Sequence, residues 1–219
     1  MHRKEEKKYH HRTRILRRKN FGKIACVVLA AGTSSRFGPP KQLAKLMPKG
    51  KTLIQNAVDV ANGSKRVDYV FVILGYNSSE IMEKLKMGNG QVLLNKDFKR
   101  GLSTSIRTAI SNVPDDCDAV VFMVADQPFL KSKHIDLLID SFRKSSGKTQ
   151  IAALSYEDNP QNPAIFAREM FSKLAKIKGD KGAREIVKAK GSESLLVNVK
   201  DPHVFLDIDT GLSLRDLSS

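Results

Sequence analysis

The chain has 219 residues, 41% of them hydrophobic, and a net charge of +15, enough for one mid-sized domain whose core needs no disulfide or structural metal. No apolar run approaches the roughly 18 residues that span a bilayer, and the basic N-terminus lacks the apolar stretch of a secretory leader. A soluble, cytoplasmic protein with no membrane partner is the expectation.

The charge is uneven. Residues 1–23 hold ten Lys/Arg against Glu5 and Glu6, about half of the total excess. A basic arm over residues 1–22 therefore precedes a single domain over residues 23–219. Such a block reads as a solvated, disordered arm. Nucleic-acid binding stays open, because Lys/Arg clusters release counterions from polyphosphates, although few aromatics are present to stack on bases. Cys26 and Cys117 lie in or beside apolar runs without CxxC spacing, which points to reduced, buried thiols. His2, His10 and His11 lie in the arm, and His134 and His203 are isolated.

The first element is Ile24-Ala25-Cys26-Val27-Val28-Leu29, a continuous apolar run of the kind a strand buried on both faces shows. Thr52 caps a helix whose Leu53, Ile54, Ala57, Val58 and Ala61 follow helical spacing up to Gly63. Residues 70–74 form a second buried strand ending at Gly75. A short helix after Ser78 or Ser79 and a third strand at 91–94 follow. The stretch from Gly101 to Ile110 is a helix opened by Gly-Leu-Ser-Thr-Ser. Residues 119–124 are a fourth strand with Asp126 at its end. A helix over 131–143 presents Ile135, Leu138, Ile139 and Phe142 on one face. Strands at 151–154 and 164–166, helices near 168–177 and 180–190, and late strands at Val197 and residues 204–206 complete the chain. Alternating strands and helices imply an α/β, mostly parallel sheet with helices on both faces. Ligands in such sheets bind outside the carboxyl ends of the strands. Gly32, Gly75, Gly101 and Asp126 all fall there.

The first loop reads Leu29-Ala30-Ala31-Gly32-Thr33-Ser34-Ser35-Arg36-Phe37-Gly38-Pro39-Pro40-Lys41. Its small residues let a ligand approach the backbone. Gly32 and Gly38 can take positive φ and turn successive N–H groups on one anion. Arg36 offers a fork for phosphate oxygens and Lys41 a mobile point charge. The spacing fits neither a Walker loop nor GxGxxG, so a solvated surface turn remains an alternative. Asp126 closes a buried apolar strand, a costly place for a carboxylate without a cation or donors. Mg²⁺ takes such oxygen ligands while keeping waters and phosphates, and an N-cap or ion-pair role is the plainer alternative. Asp207-Ile208-Asp209 puts two acids on one side of an extended segment. Ser103 and Ser105 stand at a helix start, where hydroxyls and free N–H groups meet ligands or cap. Lys181 and Arg184, set among glycines, suit an anionic second substrate or a charged turn.

In order, these segments resemble the molybdopterin nucleotidyltransferase family, in its molybdenum-cofactor cytidylyltransferase branch. The matching pieces are the loop with Lys41, Gly101-Leu102-Ser103-Thr104-Ser105-Ile106-Arg107, and Ala125-Asp126-Gln127-Pro128. Asn162-Pro163-Ala164-Ile165-Phe166, Gly179-Asp180-Lys181-Gly182-Ala183-Arg184 and Asp207-Ile208-Asp209-Thr210 follow. The resemblance implies a Rossmann-like, nucleotide-diphospho-sugar transferase-like fold that binds an NTP over the first loop. It implies a Mg-dependent enzyme that moves an NMP onto a phosphorylated acceptor, molybdopterin or molybdenum cofactor, and releases pyrophosphate. Arg36, Lys41 and Asp126 are the implied catalytic residues, and Asp126 and Asp209 the implied metal ligands. Leu29, Ala30, Ala31, Gly32, Gly75, Asn95, Ser103 and Ser105 join Arg36 and Lys41 around the nucleotide. Lys181 and Arg184, by their charge, remain the candidate acceptor contacts. Ala31 in place of a second glycine resembles the cytidylyl branch, favouring CTP. A molybdenum enzyme or its chaperone is an implied partner. After Asp207-Ile208-Asp209-Thr210 the chain reads Gly211-Leu212-Ser213 where the family has Pro-Glu-Asp, and the basic arm has no counterpart. A same-fold transferase acting on a sugar 1-phosphate or small phosphorylated acid remains an alternative. So does a non-catalytic cofactor chaperone or RNA-binding module using the arm.

Overall fold

A computed structural model describes residues 22–33, 40–46, 50–145 and 149–208. The arm through residue 21, Arg36, Gly38, Asp209 and the Gly211-Leu212-Ser213 departure lie outside the described residues.

The strands are β1 (Lys23–Ala30), β2 (Lys45–Leu46), β3 (Lys51–Thr52), β4 (Tyr69–Leu74), β5 (Gln91–Leu94), β6 (Cys117–Val124), β7 (Ile151–Tyr156), β8 (Asn159–Ala167) and β9 (Leu195–Asn198). The helices are α1 (Leu53–Asn62), α2 (Ser78–Lys84), α3 (Leu102–Ile110), α4 (Ser132–Lys144), α5 (Phe171–Leu174) and α6 (Ala183–Lys190). Seven strands form one sheet in the order β5-β4-β1-β6-β8-β7-β9, while β2 and β3 make a separate antiparallel ribbon. All neighbouring pairs in the large sheet are parallel except those of β8 with β6 and β7. The mostly parallel α/β reading of the sequence agrees with this sheet.

Alternation along β1 explains the two cores. Ile24, Cys26, Val28 and Ala30 face the side covered by α1 and α4, where Ile54, Val58, Ile135, Leu138 and Phe142 pack. Ala25, Val27 and Leu29 face the side of α3 and α6, with Ile106, Ala109, Ala183 and Val187. A strand flanked by β4 and β6 and covered on both faces must be apolar at every position, which is why its sequence shows no period of two. Each fully buried aliphatic side chain contributes about 1.5–3 kcal/mol relative to exposure. The cap at Thr52 is as the sequence indicated: its Oγ1 accepts from the Gln55 N–H at 3.2 Å. Cys26 and Cys117 are free and buried.

Four local readings change. The short stretch at 164–166 is part of a nine-residue strand, β8, which returns from β7 through a two-residue turn with Glu157 and Asp158 at φ 47° and 61°. Positive φ at both turn residues matches the right-handed twist of a hairpin. Pro160 and Pro163 disguised the strand, because proline cannot donate to a ladder. Residues 204–206 are not a strand. Pro202 starts a 3-10 turn over Pro202–Phe205, capped by Asp201, whose side chain accepts from the His203 N–H. The helix near 168–177 is a 3-10 turn at Arg168–Met170 running into α5, which ends at Leu174. The helix expected from residue 180 begins at Ala183, with Gly182 as its N-cap donating to Glu185 Oε2 at 2.9 Å.

Candidate active site

The carboxyl ends of β1, β4, β5 and β6 lie along one edge of the sheet, because these four strands are mutually parallel. The residues that follow them are Ala31 and Gly32, Gly75, Asn95, and Asp126. Backbone bonds bring these ends together. Tyr76 N–H donates to Ala31 O at 3.4 Å, Asn95 N–H to Leu74 O at 2.7 Å and Ala125 N–H to Leu29 O at 3.3 Å.

After the loop, residues Lys41–Leu43 form a 3-10 turn. Its two polar side chains reach in different directions. Lys41 Nζ lies 2.8 Å from Asp126 Oδ2, with 14% and 32% of the two side chains exposed. Gln42 is buried and its Nε2 donates to Ala30 O at 2.9 Å and Gly32 O at 3.0 Å. A carboxylate at the strand edge thus has the cation that its desolvation requires. Ile208 N–H donates to Asp126 O at 3.0 Å, so the Asp207-Ile208 segment runs beside Asp126, and Asp209 is the next residue along the chain.

Gly32 does not use a left-handed conformation, contrary to the expectation for this loop; the glycines with positive φ among the described residues are Gly50, Gly88, Gly101, Gly179 and Gly191. A Cβ at Gly32 would meet nothing within 4 Å, so this glycine leaves space over the loop. Gly75 is required for a different reason. A Cβ there would lie 2.7 Å from Phe98 Cβ and 2.8 Å from Ala31 O, so any side chain would push β4 off the loop.

The start of α3 is built by a buried network. Asn95 Nδ2 donates to Thr104 Oγ1 at 2.8 Å and Ser105 Oγ at 3.0 Å, and its Oδ1 accepts from Asp97 N–H at 3.0 Å. Thr104 Oγ1 donates to Gly101 O at 2.8 Å. Asn95 and Ser105 therefore face each other, each 3% exposed, and brace the helix start. Ser103 is 1% exposed, and its hydroxyl has no hydrogen-bond partner. Its N–H donates to Gly179 O at 3.1 Å. This bond joins the segments around residues 101 and 179. Gly101 sits at φ 102°, and a Cβ there would fall 2.6 Å from the Gly179 carbonyl. Arg184 Nε donates to Pro160 O at 2.8 Å, tying α6 to β8. Lys181 lines a cavity of about 380 Å³ with Leu174, Ile177 and Ile186.

The sequence reading missed Gln42 and Asp97, and it held Thr104 only as part of the helix start over residues 101–105. Gln42 adjoins Lys41 in a polar stretch, and no spacing rule marks a glutamine as loop-facing. Among the described residues no group of three or more His, Cys, Asp or Glu side chains is placed to hold a metal. Mg²⁺ needs less, because one or two carboxylates suffice when phosphates and waters fill the rest of its shell. Asp126, partly exposed at the strand edge beside the chain leading to Asp209, fits that demand. Also among the described residues, no helix is long and apolar enough to cross a membrane.

Comparison with known proteins places the chain in a family. The profile of the MobA-like NTP transferase domain matches residues 26–195. A probable molybdenum cofactor guanylyltransferase of Thermococcus sibiricus is 33% identical over 121 residues, 55% of this chain and 56% of that protein; the chain spans little more than half of that relative. The molybdenum cofactor cytidylyltransferase of Escherichia coli K12 is 24% identical over 85% of this chain and 91% of its own length. Among solved structures, Rv0371c from Mycobacterium tuberculosis H37Rv superposes with a TM-score of 0.77 at 30% identity, covering 90% of this chain and 97% of that one. The same mycobacterial protein has also been solved in complex with manganese, with a TM-score of 0.74 at 28% identity over 89% of this chain and 97% of that one.

Proposed function

This chain belongs to the MobA-like NTP transferase family of nucleotidyltransferases, and from that premise we propose that it moves CMP from CTP onto a phosphorylated acceptor, molybdopterin or molybdenum cofactor, with Mg²⁺ and release of pyrophosphate. The observation that carries the reading is the 2.8 Å contact of Lys41 Nζ with Asp126 Oδ2 at the carboxyl edge of β1 and β6. A cation and a carboxylate that neutralise each other there can exchange partners when a metal–triphosphate arrives. Lys41 would then be available to phosphate oxygens and Asp126 to hold the cation.

In the reaction an oxygen of the acceptor phosphate attacks the α-phosphorus. The bond from that phosphorus to the bridging oxygen breaks, and pyrophosphate leaves with the electron pair. The protein's share is positioning and charge stabilisation. The loop from Leu29 through Gly32 holds the nucleotide, Arg36 and Lys41 offset charge on the leaving pyrophosphate, and Gly75 admits close approach of base or ribose. Asn95 and Ser105 hold the start of α3 in place, and Ser103 presents a hydroxyl there. Lys181 and Arg184 lie on the segment that meets α3 and take the acceptor's charge. A Mg²⁺ held by Asp126 and Asp209 would supply Lewis-acid charge to the phosphate oxygens. Ala31 supports CTP over GTP; the named relatives include both a guanylyl and a cytidylyl enzyme.

The test has two stages. A thermal-shift screen of CTP, GTP, ATP and UTP with Mg²⁺ should show the largest rise with CTP, since a ligand that binds only the native state raises its melting point. Pyrophosphate release should then appear with CTP and molybdopterin and not with a panel of sugar 1-phosphates. Turnover of a sugar 1-phosphate alone moves the assignment to another transferase of the same fold. Absence of pyrophosphate with every pair sinks the enzymatic reading.

A further inference from the structure

We infer that Gln42 is a positioning residue for the phosphate loop: its carboxamide holds the loop's carbonyls back so that the loop's N–H groups face the triphosphate. The inference rests on the nucleotide reading above. Gln42 is 6% exposed, and both Nε2 hydrogens are used, one on Ala30 O at 2.9 Å and one on Gly32 O at 3.0 Å. These are alternate residues of the candidate phosphate loop. In a trans peptide unit the N–H points opposite to the C=O. Capturing the carbonyls of Ala30 and Gly32 therefore turns the N–H groups of Ala31 and Thr33 to the other side of the loop. Such a row of N–H groups suits an anion; the same carbonyls turned inward would repel it.

The chain position of Gln42 makes the device economical. It is adjacent to Lys41, and both lie on the 3-10 turn Lys41–Leu43. One turn therefore aims the cation through one side chain and orients the loop through the next. Gln42 does this with a neutral amide, which its nearest replacements in size do not match. Glutamate cannot donate when ionised, leucine cannot donate at all, and asparagine is one methylene shorter. Both donors of this buried amide are satisfied, as buried polar groups require.

The experiment compares wild type with Gln42→Leu and Gln42→Glu, after far-UV circular dichroism and melting point have established their fold. The ligands are inorganic tripolyphosphate, CTP and CMP, each with Mg²⁺, with affinity measured by calorimetry. Both variants are expected to bind tripolyphosphate and CTP more weakly by roughly tenfold or more, the scale of one lost hydrogen bond to a charged group. CMP affinity should stay within twofold, which a general loss of packing would not produce. Lowering the pH to protonate the introduced carboxyl should return part of the lost affinity in Gln42→Glu and none in Gln42→Leu. Folded variants that bind CTP and tripolyphosphate like wild type overturn the inference. So does failure of both variants to fold, because the amide would then serve the fold. A wild-type chain that binds no triphosphate would instead remove the nucleotide reading itself.

Discussion

Lys41 and Asp126 are 85 residues apart in sequence, yet Nζ and Oδ2 meet at 2.8 Å where β1 and β6 end side by side. The contact is local to the sheet edge and remote in the chain. It joins the loop after one strand to the loop after its neighbour, the place where an α/β sheet receives ligands.

Lys41→Ala and Asp126→Asn should each lower turnover by on the order of a hundredfold or more, the scale of removing one preorganised charge from a transition state. The pair is partly solvated, so its contribution to stability is about 1 kcal/mol or less, and urea midpoints should move little. Steady-state kinetics beside urea melts checks both halves. Near-normal activity of Asp126→Asn with Mg²⁺ would rule out the metal role.

Two glycines should separate folding from binding. Gly101→Ala forces a side chain into a left-handed backbone and against the Gly179 carbonyl, at a cost of roughly 2–5 kcal/mol. Gly32→Ala meets no neighbour and should leave stability within about 0.5 kcal/mol. It should nevertheless raise the KM for the nucleotide, because the methyl occupies space over the loop. Equilibrium unfolding and KM measurements on the two variants test this contrast.

His134 links stability to mild acid. It is buried, and Lys131 N–H donates to its Nδ1 at 3.1 Å, a bond that needs that nitrogen unprotonated. Burial, with Lys133 and Lys131 nearby, holds its pKa below the usual histidine value of 6.5, against a small opposing pull from Asp201. The stabilising contribution is therefore fully present above pH 6.5. It is lost as pH falls from there through the lower folded-state value, because the unfolded chain takes the proton first. The slope for one proton cannot exceed about 1.4 kcal/mol per pH unit. His134→Gln should flatten this part of the stability profile in urea melts between pH 7.5 and 5, and an unchanged profile would reject the linkage.

Both thiols should be silent in the native protein. Burial pushes Cys26 up to about 12 and Cys117 to about 11, and both are inaccessible. Labelling by a thiol-specific chromogenic reagent at pH 8 should be negligible until denaturant is added, when both should react. Fast labelling of the folded chain would contradict the core placement.

What the sequence determined by itself was local. Continuous apolar runs marked β1, β4 and β6, because a strand covered on both faces must be apolar throughout. Apolar spacing marked α1 and α4, and Thr52 marked its own cap. The acid at residue 126 stood out because a carboxylate closing a buried strand requires compensation. Tertiary structure alone decided the rest. Pro160 and Pro163 hid the antiparallel strand that lies between β6 and β7. The partner of Lys41, the inward turn of Asn95 and Ser105, the meeting of residues 101 and 179, and the grip of Gln42 on Ala30 and Gly32 depend on strand order and loop path. Periodicity reports which face a residue takes on its own element. It carries no information about which distant element that face will meet, and the candidate site at this edge is made of such meetings.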